Sequence, residues 1–167
     1  LPSCVEAYPR LETREAGALF KRHKVLSKAE LSSRVEVLYE KYSMQCQIEA
    51  EQMVLIARQM ILPAAFEHQR RVAETVSASQ TAGVDAGGAH SELTDFVAFV
   101  NDFCVKLDDL EHCLGVTPED AHESSTHMRH EVRPRMDALR ELGDALEVRV
   151  AEELWPLPSY RELLTIR

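Results

Sequence analysis

The stretch Ser27–Ser79, SKAELSSRVEVLYEKYSMQCQIEAEQMVLIARQMILPAAFEHQRRVAETVSAS, reads as one very long helix. Ser27 and Glu30 have the S-x-x-E spacing of a capping box, in which each side chain takes up a backbone N–H that the first turn leaves without a partner. Leu31, Val35, Leu38 and Tyr42 then recur at helical spacing, and Cys46, Met53, Ile56 and Met60 continue the stripe. That is the period of a helix, not the strict alternation of a strand. Pro63 lies inside the run, where it removes one N–H and crowds the carbonyl of Gln59, so a kink is expected rather than a stop. Phe66, Val72 and Val76 resume the pattern.

On the N-terminal side, residues 1–26 read as an irregular entry segment. Pro2 and Pro9 bracket a short turn, and Thr13 is placed to cap a helix of two or three turns ending near His23. On the other side, residues 80–90 (QTAGVDAGGAH) lose the periodicity and read as a loop. They lack the Gly and Lys spacing of a phosphate cradle, and no strand precedes them. Ser91 is placed to cap a second helix over 91–114, with a seam of Leu93, Phe96, Val100, Phe103, Leu107, Leu110 and Leu114 and a terminating Gly115. Thr117 and Pro118 read as the N-cap and first residue of a third helix over 117–154, which Pro134 should bend. The tail, 155–167, leaves the helix at Pro156 and Pro158, and Ser159 with Glu162 suggests a last capped turn. The fold class is therefore all-α, a single domain made of a bundle of three long, kinked helices with short helical entry and tail segments.

The expected helix lengths do not match. At about 1.5 Å per residue they come to roughly 80, 35 and 55 Å, so the second should cover the first only beyond Pro63. Leu31, Val35, Leu38 and Tyr42 then need cover from the entry segment, the tail or another domain. Trp155, Leu157 and Tyr160 are likewise too apolar for a free terminus. These seven residues are the expected docking surface.

Composition narrows the function classes. The formal net charge is −9, and Ser91–Glu123 holds nine acids against the single base Lys106. That face argues against nucleic acid or an anionic membrane as partner. No apolar run approaches the roughly 20 residues of a membrane span. Cys4, Cys46, Cys104 and Cys113 form no C-x-x-C pair; Cys104 and Cys113, about 13 Å apart on one helix, are too distant to bridge. Reduced thiols in a cytoplasmic protein are expected. The chain opens at Leu1 with no charged-then-apolar leader, and reads as a piece of a longer protein.

No catalytic constellation is visible. Glu119 with His122 and Asp109 with His112 have the Glu-x-x-His type of spacing used by di-metal bundles, but such a site also needs carboxylates from two further helices. These pairs read as solvated residues near a helix–helix turn. Glu123, His127, His130 and Glu131 share roughly one face and read the same way, while His23, His68 and His90 are isolated. No G-x-S-x-G motif is present, and the cysteines lie mostly on apolar faces. Tyr39, Tyr42 and Trp155 read as core or interface. Glu49, close to the apolar stripe, is expected to face an Arg or Lys of a neighbouring segment.

Four stretches nevertheless carry a family pattern: LPSCVEAY at 1–8, LFKRHKVLSKAELSSRVEVLYEKY at 19–42, IEAEQMVLIARQMILPA at 48–64 and ELWPLPSYRELL at 153–164. Together they resemble the C-terminal region of type III glutamine synthetases; Val72 to about Glu131 does not share the pattern. The resemblance implies a parent that makes glutamine from glutamate and ammonia through a γ-glutamyl phosphate, using ATP and a divalent metal, as a ring-shaped homo-oligomer. The family's catalytic residues lie upstream of the matched region, so no catalytic, cofactor-binding or metal residue carries over. The implied role is a non-catalytic helical domain that packs on the catalytic domain of the same chain and supports assembly or regulation. An independent helical interaction module is the alternative, and a carboxylate–histidine metal bundle a third, weaker one.

Overall fold

The computed structural model describes residues 3–116, 118–158 and 160–165, and these contain helices and no strand. Helix α1 (Cys4–Ala7) leads through a 3₁₀ turn, Tyr8–Arg10, to α2 (Arg14–Arg22). The long helix runs as α3 (Lys28–Ile56), a π segment at Ala57–Ile61, and α4 (Leu62–Thr81). Helix α5 spans Gly87–Leu114. The third long helix is α6 (Ala121–His127), a π segment at Met128–Val132, and α7 (Arg133–Arg149). A 3₁₀ turn at Glu152–Leu154 and α8 (Tyr160–Leu164) follow.

Local chemistry accounts for most ends. The Ser27 N–H donates to Glu30 Oε2 at 2.7 Å, and the Glu30 N–H to Ser27 Oγ at 3.3 Å, so the capping box forms as expected. The Thr13 hydroxyl accepts from Ala16 N at 3.4 Å and starts α2. Three boundaries differ from expectation. Helix α5 begins at Gly87, where the Asp85 carboxylate accepts the backbone N–H at 3.0 Å, so the loop shrinks to 82–86 and Ser91 lies inside the helix. Helix α6 begins at Ala121, later than expected, where the Asp120 carboxylate supplies the cap, accepting from Glu123 N at 2.9 Å. Thr117 lies outside the described residues, as does Ser159 of the expected last capping box. The third helix ends at Arg149, short of residue 154.

Gly115 closes α5 through its N–H to the His112 carbonyl at 3.2 Å, a tight three-residue return, and not through a left-handed residue. The left-handed caps occur elsewhere. Gly83 (φ 73°) ends α4, with Val84 N donating to Ser79 O and Gly83 N to Gln80 O, both at 3.0 Å. This double return is a Schellman motif. Lys24 (φ 54°) ends α2 in the same way, with Val25 N bonded to Phe20 O and Lys24 N to Lys21 O.

The two prolines act through their predecessors. Leu62, just before Pro63, donates its N–H to Ala57 O, and Arg133, just before Pro134, donates to Met128 O. Each is a five-residue return that widens the turn by one residue. A proline ring clashes with the carbonyl four residues back, and the wider turn moves that carbonyl aside without ending the helix.

The chain packs as two compact units, the first comprising residues up to Glu51 with His112–Pro134, the second Gln52–Glu111 with residues from Arg135 onward. In the first, Val5, Val35 and Tyr39 form a buried cluster, covered by Tyr8, Leu11, Tyr42 and Ala121. The Tyr39 ring meets Tyr8 and His122 edge-on, at 5.2 and 5.0 Å between centroids. The entry segment and α6 therefore cover the first half of the long helix, which had been expected to lack cover from the other long helices. In the second unit, Phe96, Val100, Phe103, Leu107 and Leu110 of α5 are essentially inaccessible, as the seam predicts. Ile61, Leu62, Ala65, Met136, Leu139 and Leu146 are buried in the same unit, and each of these side chains larger than alanine contributes about 1.5–3 kcal/mol of burial. Arg58 pairs with Asp108 and, at 2.5 Å, with Glu111, which places the α5 end beside the π segment and not only beyond Pro63. The segment after α7 docks on α4: the Ala151 N–H reaches His68 Nδ1 at 3.4 Å, and Glu153 pairs with Arg71.

Candidate functional site

The first unit contains a cleft of about 390 Å³. Ser3 lines it from the start of α1, Tyr42, Cys46 and Glu49 from successive turns of α3, and Arg129 and Arg133 from the helix opposite. Arg129 lies within the π segment and Arg133 directly follows it, so the widened turn helps aim both guanidinium groups. Arg133 Nη1 lies 3.3 Å from Glu49 Oε2, the pairing expected for Glu49, and Gln45 Nε2 donates to Glu49 Oε1 at 3.0 Å. Arg129 is less well served. Its Nε is 3.6 Å from Glu6 Oε1, too far for a hydrogen bond, and that Nε is buried with no acceptor among the described residues. A buried donor left without a partner costs about 1–3 kcal/mol.

The electrostatics around the cleft follow from contact and burial. A hydrogen bond from the Ser3 hydroxyl holds the Glu6 carboxyl below the usual carboxylate range, aided by Arg129 and His130. Burial raises the Tyr42 phenol and the Cys46 thiol, keeping both protonated near neutrality. With Arg129 and Arg133 against Glu6 and Glu49, the formal charge nearly cancels.

Of the expected docking residues, Leu31 and Val35 are buried inside the first unit, and Leu38 and Tyr42 are half-buried. Leu31 and Val35 therefore have no surface left to offer another domain. Trp155 and Leu157 are half-buried in the second unit, and the Trp155 Nε1 meets no acceptor among the described residues. The Tyr160 side chain lies outside the described residues. The exposed apolar side chains of α3 in this unit are others: Val37, Met44 and Ile48, at 56%, 63% and 53% exposure. Spaced seven and four apart, they fall within about 40° of one another, on the side of the helix opposite Val35, Tyr39 and Cys46. Sequence inspection followed the core stripe and passed over this second face. It also passed over Arg129 and Arg133, whose partners come from α1 and α3.

The remaining chemistry is structural. His127 Nε2 lies 3.1 Å from the Cys113 carbonyl and 3.8 Å from its thiol, so with its proton on Nε2 the imidazole satisfies a carbonyl in the last turn of α5. His122 packs on Tyr39. Among the described residues, no three His, Cys, Asp or Glu side chains come together in a way that could hold a metal ion. None of the four cysteines is in a disulfide.

Residues 1–80 match the family model described as the glutamine synthetase C-terminal domain. That region, just under half of the chain, is similar to this family's domain. The chain is 31% identical over 175 residues to a type-3 glutamine synthetase of Dictyostelium discoideum, a match covering all of this chain and 24% of that protein. It is 28% identical to a glutamine synthetase of Bacteroides fragilis (95% of this chain, 23% of that protein). A Butyrivibrio fibrisolvens glutamine synthetase is 26% identical (98% and 24%). The chain thus spans about a quarter of the length of the curated relatives it matches. No helix among the described residues is long and apolar enough to cross a membrane.

Proposed function

We propose that this chain is a non-catalytic helical domain that packs against the catalytic part of a glutamate–ammonia ligase and supports its assembly into an oligomer. The observation that carries this is the second apolar face of α3. A surface helix ordinarily turns one stripe inward and presents polar residues outward. Here Val35, Tyr39 and Cys46 fill the core while Val37, Met44 and Ile48 remain exposed on the far side. The relatives, all described as glutamine synthetases, are about four times longer, which leaves ample chain to cover that face. In this role the domain itself binds neither ATP nor a divalent metal; both belong to the ligase chemistry of the larger protein, which is expected in the cytoplasm.

The decisive experiment places Val37→Asp together with Ile48→Asp in the full-length ligase. Both side chains are already in solvent here, so the fold of this domain should survive. The assembly should dissociate or lose mass by light scattering, while ATP affinity changes less than about threefold. An oligomer of wild-type mass and full activity would reject the docking role. The 167-residue chain alone should form no glutamine from glutamate, ammonia and ATP.

A further inference from the structure

The cleft between α1, α3 and the Arg129–Arg133 turn has features that the packing role leaves unused. Arg129 has a buried Nε with no acceptor among the described residues, although a guanidinium carries five donors and Glu6 is spending its strongest bond on Ser3. Arg133 contacts Glu49 at 3.3 Å through Nη1, one of its five donors. Glu49 accepts from Gln45 and Arg133 and retains lone pairs on both oxygens. Tyr42 adds a protonated phenol, and the volume of about 390 Å³ lies within the range of small-molecule sites.

From this arrangement we infer that the cleft binds a small zwitterion bearing a carboxylate and an ammonium group, the chemistry of a free α-amino acid. The guanidinium fork of Arg129 takes the carboxylate in the planar, paired geometry that suits it. Glu49 takes the ammonium, and Tyr42 donates to the second carboxylate oxygen. The near balance of two arginines against Glu6 and Glu49 selects for such a ligand. A phosphate dianion would leave both acids facing uncompensated negative charge, and a simple carboxylate would leave Glu49 without its share of the bonding. The site requires no catalytic residue and is independent of the α3 docking face.

The test is calorimetric titration of the purified 167-residue chain with each free L-amino acid, with propionate and inorganic phosphate as controls. At least one amino acid should bind at one site per chain with a Kd below about 1 mM, and propionate and phosphate at least tenfold more weakly. Arg129→Gln and Glu49→Gln should each weaken that binding tenfold or more, with helical content by circular dichroism unchanged. Tyr42→Phe keeps the packed ring and should weaken it by a smaller factor, so the site stays testable if an arginine variant unfolds. Failure of every amino acid to bind at 10 mM overturns the inference. So does binding that Arg129→Gln and Tyr42→Phe both leave unchanged, or binding matched by propionate or phosphate.

Discussion

Lys24 and Gly143 show how much a single backbone position can decide. Lys24 occupies the left-handed region at the end of α2, where a Cβ crowds the following carbonyl and a non-glycine residue costs about 1 kcal/mol or more. Glycine removes that strain but loses more chain entropy on folding. Lys24→Gly should therefore stabilise by a net of about 0.5 kcal/mol, read as a rise in the urea midpoint at constant slope. Gly143 is the reverse case. It is buried in α7 with negative φ, and a Cβ there would meet Phe103 and Ile61 at 3.9 and 4.0 Å, ordinary contact distances. Gly143→Ala should add roughly 0.5–1 kcal/mol by the same measurement, since a mid-helix glycine forfeits about that much. Both positions were visible as letters, but only the backbone angles and the neighbours determine the opposite substitutions they call for.

At the level of elements, helix starts follow short-range rules and differ where two caps compete. Ser27 with Glu30 was legible because both partners lie within one turn. Asp120 and Thr117 are both good cap residues by type; Asp120 caps α6, whose first turn places Ala121 and His122 against Tyr39. Asp120→Ala should cost about 1 kcal/mol and fray the first turn of α6, seen as faster amide exchange at Glu123. The π segments follow the same logic. A proline announces a disturbance, but whether it ends the helix, bends it or widens the preceding turn depends on which surfaces the residues on either side must reach. Here the wider turn keeps Ile61 and Val132 in their cores on one side and Ala65 and Met136 on the other.

Across the whole molecule, surface charge sets the response to acid. Glu67 is held near 2 by hydrogen bonds from Arg70 and Arg71, and Glu6 and Glu30 are held below their ordinary value mainly by Ser3 and Ser27. Each carboxylate thus binds its proton less readily when folded than when unfolded. The stabilisation is complete above the unfolded value near 4.5 and is lost as pH falls through the folded values. Thermal unfolding should therefore move to lower temperature between about pH 4.5 and 2, and Glu67→Gln should flatten that slope. Because Glu30 is exposed and Glu6 and Glu67 are only partly covered, added salt should reduce the effect.

By itself, the sequence determined the helical class, the α5 seam, the capping box at Ser27 and the family resemblance, because each is written in residues a few positions apart or in a long ordered pattern. Only the tertiary structure decided what covers the long helix. The entry segment reaches Val35 and Tyr39 from about thirty residues away in the chain, and periodicity within one helix carries no information about its neighbour. For the same reason the second apolar face of Val37, Met44 and Ile48 is known only from their exposure. Arg129 and Arg133 likewise line a cleft only because α1 and α3 fold against them.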